Sequence, residues 1–265
     1  MKKLIHANLY LLLRKKEYWF SLFVMFAFVC ITYLLEVKNS IGKDLFCLGG
    51  PSYHFVLNIW GEYISYFMIF FPILLGIFAS FPAFDENKNK TVIFSIVRNN
   101  KKKVYFSKWI VSFIGGSSIM LAPLLLNIVL NVITFRNAGV HQEGVYHSEM
   151  YFLKRGYAFE NWYKTHEIPY EILFVFAIAL FAGICSMFSF AACNFIKHYK
   201  ILTVLPIYIV FFISDALNFK SFNFQDYLLC PCLEGNFLPA IFVAVIMLVS
   251  SGFMINIFVD RMECW

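Results

Sequence analysis

The sequence predicts an all-α membrane protein with six transmembrane helices and an N-terminal interfacial amphipathic helix. Three observations lead there. Of the 265 residues, 60% are hydrophobic and only 14% charged, against roughly a quarter charged in a soluble domain. The apolar residues gather in runs close to the ~20 residues that cross a bilayer as a helix. The 22 Lys and Arg residues fall mainly on one set of the loops between those runs.

Residues 1–17 form the first element. Leu4, Ile5, Leu9, Leu12 and Leu13 share much of one side of a helix, with basic residues at both ends. Such a helix lies in the membrane plane and turns into the first span. It does not read as a cleaved signal peptide, because Arg14-Lys15-Lys16-Glu17 interrupts a short apolar stretch and no small-residue cleavage site follows.

Residues 18–265 form a single transmembrane domain. Its spans are Tyr18 to Leu35, Tyr63 to Phe84, Trp109 to Phe135, Ile172 to Ile196, Ile201 to Ser214 and Phe237 to Val259. The fifth is the shortest, and Ala216 and Leu217 extend it past Asp215. It contains Pro206, and Pro123 lies in the third span; a proline inside a helix kinks it. A buried or re-entrant segment is the competing reading of the fifth run. That reading would leave five spans and put the C-terminus outside.

Basic residues supply the orientation. Fifteen of the 22 lie before the first span, between spans two and three, between spans four and five, or in the tail. The remainder are Lys38, Lys43, Arg136, Lys154, Arg155, Lys164 and Lys220. Both termini are therefore placed in the cytoplasm, and the chain in the cell (plasma) membrane. The net charge of +6 reflects this bias, and no motif for nucleic-acid recognition is present.

Two loops stand out. The inner loop 85–108 opens with Asp85-Glu86, continues through Thr91-Val-Ile-Phe-Ser-Ile-Val97, and ends in a basic run from Arg98 to Lys108. Val92, Ile93, Ile96 and Val97 follow helical spacing, so this piece either lies on the membrane or presents its apolar side to a cytoplasmic partner. The outer loop 136–171 is rich in aromatic and acidic residues and predicts short helices at the outer headgroups.

Catalytic signatures are missing. His141, Glu143, His147 and Glu149 lack the HExxH spacing of a zinc site, and there is no GxSxG or GxxxxGK[ST] motif. Cys230-Pro-Cys232 is not a CxxC pair. On this topology Cys47, Cys230 and Cys232 face outward, where a link from Cys47 to one of the others is permitted. Gly115-Gly116-Ser117-Ser118, Gly76, Gly183 and Ser250-Ser251-Gly252 mark places where helices approach closely. Glu62 and Asp215, near the outer ends of spans two and five, are candidates for lining a translocation pathway.

At the inner loop the chain resembles the membrane permeases of ABC-2 type transporters. The residues that carry the likeness are Phe84-Asp85-Glu86, Thr91, Ile96-Val97-Arg98 and Lys108-Trp109-Ile110. The resemblance implies a coupling helix that docks into a separate ABC ATPase subunit, which would hold the ATP and Mg. It makes Asp85, Glu86, Thr91, Arg98 and Lys108 the coupling region, with Val92, Ile93, Ile96 and Val97 as its apolar contact. It also implies a second permease chain, identical or related, and export of a peptide, lipid or other amphipathic substrate. The run from Arg98 to Lys103 is denser in charge than the family pattern, and the outer loop is longer. The alternative is a non-transporting immunity, sensor or scaffold protein that recognises an extracellular peptide or lipid.

Overall fold

The structure, a computed structural model, describes residues 1–43, 48, 50–58, 63–136, 162, 166–196, 199–216, 227–230 and 238–261, with backbone alone for 214–216. Its helices are α1 (Lys2–Leu13), α2 (Lys16–Ser40), α3 (Ile64–Lys88), α4 (Val92–Arg98), α5 (Lys101–Thr134), α6 (Glu167–Cys193), α7 (Leu205–Ala216) and α8 (Leu238–Arg261). A 3₁₀ turn, Lys200–Val204, leads directly into α7. Among the described residues there is no strand, only one parallel bridge between Asn58 and Cys230.

Five helices, α2, α3, α5, α6 and α8, are long and apolar enough to cross a membrane. They cover the first, second, third, fourth and sixth of the predicted spans. The helices outrun the apolar stretches. At 1.5 Å per residue α5 is about 50 Å long, well beyond a ~30 Å hydrocarbon core. Its basic first two turns, Lys101 to Lys108, belong to the helix rather than to a loop. The region 85–108 is almost wholly helical, broken only around 89–91 and 99–100.

Local chemistry explains both breaks. The Thr91 amide donates to the Glu86 carbonyl at 3.1 Å, and the Lys90 amide to Asn87 at 3.3 Å. This pair of bonds closes a helix C-terminus when the residue after the cap turns left-handed. Lys90 takes that conformation, at φ 56°, a role that glycine fills more cheaply. At the second break the Asn100 side chain accepts from the Lys102 amide at 2.9 Å and starts α5.

Helices α5 and α6 form the central pair, and small residues allow their approach. A Cβ added at Gly116 would stand 2.7 Å from Ser186 Cβ and 3.0 Å from the Ala182 carbonyl oxygen, and one at Gly183 only 2.6 Å from the Phe113 ring. The close approach expected around Gly115-Gly116 is thus made with α6, while Gly115 itself faces Phe78 of α3. Gly76 receives Val204, so the 3₁₀ turn seats on α3. Ser80 and Thr203 hydrogen-bond at 2.8 Å in the same contact.

Pro206 does not interrupt the fifth apolar run as expected. It occupies the first turn of α7, where its missing N–H is no loss. Pro123 lies inside α5 and is buried.

The contacts define two ends of the bundle. At one, Lys15, Glu86, Lys108, Lys200 and Asp85 meet, and Lys102 reaches Asp260 of α8 at 3.2 Å. This is the basic end. At the other, Tyr33 of α2 bonds Thr134 of α5 at 2.5 Å, and Asn131 donates to the His54 carbonyl at 2.9 Å.

Candidate functional site

The last turn of α3 carries Asp85 and Glu86. Carboxylates are unfavourable at a helix C-terminus, where the dipole is already negative. Here they are offset by lysines from three other parts of the chain. Glu86 Oε1 accepts from Lys15 at 2.8 Å, and its Oε2 accepts from Lys108 of α5. Asp85 accepts from Lys200 at the start of the 3₁₀ turn, and Glu17 lies 3.9 Å from the same ammonium. The two carboxylates therefore tie α2, α3, α5 and the α7 lead-in together at one level.

A second layer of uncharged bonds sits beside this one. Asn87 donates to Asn194, just after α6, at 2.8 Å, and accepts from the Tyr105 hydroxyl at 3.2 Å. Asn8 of α1 donates to Ser107 of α5 at 2.6 Å. A pocket of about 280 Å³ opens between these elements, lined by Leu11, Leu12, Lys15, Phe78, Pro82, Glu86, Thr91, Val92, Ser95, Lys108 and others. The N-terminal helix is thus one wall of the region around Glu86.

Each predicted coupling residue can now be placed. Asp85, Glu86 and Lys108 are brought together in the ion-pair cluster. Thr91 joins them through its backbone and through a hydroxyl 3.3 Å from the Glu86 carbonyl. The apolar set divides. Val92 is buried and Ile96 packs against the core, holding α4 to the bundle. Ile93 and Val97 point outward, Val97 at 80% exposure, and Phe94 joins them at 76%. Arg98, in the last turn of α4, is also exposed. Phe94 completes an exposed i, i+1, i+4 face that the spacing of the other four did not include. Lys15 and Lys200 were missed as well. They are remote in sequence, and no local pattern pairs them with Glu86 or Asp85.

Of the pathway candidates, Glu62 lies outside the described residues. Asp215 occupies the last turn of α7, and its side chain is also outside them. The His141, Glu143, His147 and Glu149 set and most of the loop 136–171 lie outside them too, as do Cys47 and Cys232. Cys230 is buried, and its amide donates to the Leu57 carbonyl at 2.8 Å. Among the described residues no group of three His, Cys, Asp or Glu side chains gathers to hold a metal.

Residues 4–159, more than half of the chain, match the family described as ABC-2 family transporter protein. No curated protein and no solved structure matches the chain. The matched stretch begins in α1 and includes Lys15, Asp85, Glu86 and Lys108 of the carboxylate cluster, but not Lys200. With its five long apolar helices, this chain belongs to the ABC-2 family of transporter proteins.

Proposed function

We propose that the chain is the permease subunit of an ATP-driven transporter, with α4 as the helix that meets a separate ABC ATPase. The observation that carries this reading is the junction at Glu86. A short helix with an exposed Ile93-Phe94-Val97 face and a terminal Arg98 hangs from the Glu86 backbone carbonyl, while the Glu86 carboxylate holds α5 and the start of α2. A push on α4 would reach the central helix pair through Glu86 and Lys108 without passing through lipid. ATP and Mg belong to the partner, and this chain supplies no catalytic group.

Six crossings serve this role better than five. The 3₁₀ turn and α7 together reach about 28 Å, because a 3₁₀ residue rises more than an α residue. That is close to the apolar thickness of a bilayer. α6 ends near Asn87 and α8 ends near Lys102, so the chain between them has to travel from the basic end to the other. The basic end is cytoplasmic by the charge bias, which puts both termini inside the cell membrane. There α1 lies in the interface and forms a wall of the coupling region. A second permease chain, identical or related, completes the route. The cargo is an amphipathic molecule moved outward, with Glu62 and Asp215 near its exit.

Co-purification tests the reading. The chain should hold a P-loop ATPase from its native membrane, and Phe94→Asp with Arg98→Glu should release it. Purification of the wild-type chain without any ATPase, together with full cellular activity in a strain lacking such partners, overturns it.

A further inference from the structure

At the end opposite the basic cluster, the first turns of α6 bury a carboxylate that the ion pairs do not reach. Glu171 is 2% exposed. It has no ion-pair partner among the described residues, and its Oε1 has no hydrogen bond. Among the described residues, Glu167, one turn earlier and of the same sign, acts on it. The Ser52 hydroxyl stands close enough to act on it as a donor, but outside the geometry of a formed hydrogen bond, so Ser52 Oγ is also buried without a partner.

Ser52 belongs to the segment 50–58, which is not a span. Asn127 and Asn131 of α5 hold this segment in place, through the Val56 amide at 3.0 Å and the His54 carbonyl at 2.9 Å. The Asn131 Oδ1 and His54 Nε2 atoms of the same assembly are buried without partners too. Orphaned buried polar atoms are rare in folded proteins and call for an explanation. An ionised carboxylate in such surroundings is costly unless something positive meets it. Polar groups of this kind inside a membrane bundle are expensive to keep without a use.

We propose that Glu171 and Ser52 form a binding site for the ammonium group of a cationic amphiphile. An ammonium carries three N–H donors and no acceptor, which complements a carboxylate oxygen and a serine hydroxyl oxygen that accept no hydrogen bond. A divalent metal fits worse, since no three metal-ligating side chains gather among the described residues. Tyr170 and Phe174 stack beside the site, and Trp162 meets Tyr170 edge-on at 5.8 Å. Such rings suit both an apolar tail and a cation. Lifting the segment 50–58 would open the carboxyl from the end opposite the basic cluster. The inference rests on the permease reading only in identifying the bound amphiphile as cargo.

The test uses the full chain in lipid nanodiscs without an ATPase, so its failure is separate from failure of the ATPase partnership. Dodecylamine and the uncharged dodecanol are titrated below micelle-forming concentrations, and binding is read by calorimetry. The amine should bind about ten- to a hundredfold more tightly than the alcohol, as a charge-assisted hydrogen bond implies. Glu171→Gln should abolish the difference, and Asp260→Asn, at the basic end, should leave it. Equal binding of both probes to the wild type, or a preference that survives Glu171→Gln, overturns the proposal. Should that variant fail to fold, the wild type decides: dicyclohexylcarbodiimide labelling of Glu171, read by peptide mass spectrometry, should be blocked by dodecylamine and not by dodecanol. Equal labelling with both overturns it.

Discussion

The two ends of the bundle treat buried polarity in opposite ways. At the basic end, Glu86 is half-buried and both of its oxygens are bonded to lysines, from the start of α2 and from α5. At the other end, Glu171 is fully buried and one of its oxygens meets nothing. A carboxylate bonded on all sides is built to hold elements in fixed relation. One left open is built to receive something, and its neighbours must be held by other bonds. The asparagines of α5 do that, with Asn127 and Asn131 fastening the segment 50–58.

Substitutions can break this contrast. The largest effect should follow Glu86→Leu, which leaves Lys15 and Lys108 facing each other without a counter-charge. A loss of about 2–4 kcal/mol is expected, read as a clear drop in thermal unfolding temperature in detergent. An unchanged midpoint would mean that the cluster does not hold the basic end together. Next comes Asn127→Leu, which strips the buried Val56 amide of its acceptor and should cost about 1–3 kcal/mol. Protease sensitivity of the segment 50–58 should rise with it, while the basic end stays protected.

Lys90→Gly sharpens the comparison from the other direction. It relieves a left-handed lysine without touching an ion pair, so it should stabilise by up to about 1 kcal/mol. Any loss of stability would show that the Lys90 side chain has a role of its own. The smallest effect is expected for Glu171→Gln. A neutral amide of the same shape replaces a buried carboxylate that lacks a counter-charge, so the unfolding midpoint should not fall below the wild-type value. A collapse comparable to that of Glu86→Leu would make both ends structural and erase the distinction between them.

Much of the architecture was legible in order along the chain. Five of the six apolar runs are helices of crossing length, because a helix satisfies its own backbone and needs only local composition to be recognised. Asp85, Glu86, Thr91 and Lys108 were read as one region, and they do meet. The helical spacing of Val92, Ile93, Ile96 and Val97 was read as well, but one apolar face was expected where there are two. Val92 and Ile96 turn to the bundle, and Ile93 and Val97 turn away with Phe94. Spacing shows that residues lie near one another on a helix; it does not show which of them meets a neighbour.

Glu171 illustrates the other kind of miss. The sequence places it last in an outer loop, among other carboxylates, because the apolar run begins at Ile172. The helix in fact starts at Glu167, and the segment 50–58 closes over it. Its burial depends on residues more than a hundred positions earlier, which no local window can reveal. The same holds for Lys15 and Lys200, whose partners lie 71 and 115 positions away.

Composition and periodicity by themselves determined that this protein is a bundle of apolar helices, roughly where five of them lie along the chain, and that the segment between the second and third carries a short amphipathic helix. Those are properties of hydrophobicity and local hydrogen bonding, and both are written within a turn or two of chain. Only the tertiary structure decided which charges pair, which face of α4 stays open, and which carboxylate is left unanswered. Those outcomes follow from how distant helices pack, and an electrostatic partner is chosen by distance in space rather than by position in sequence.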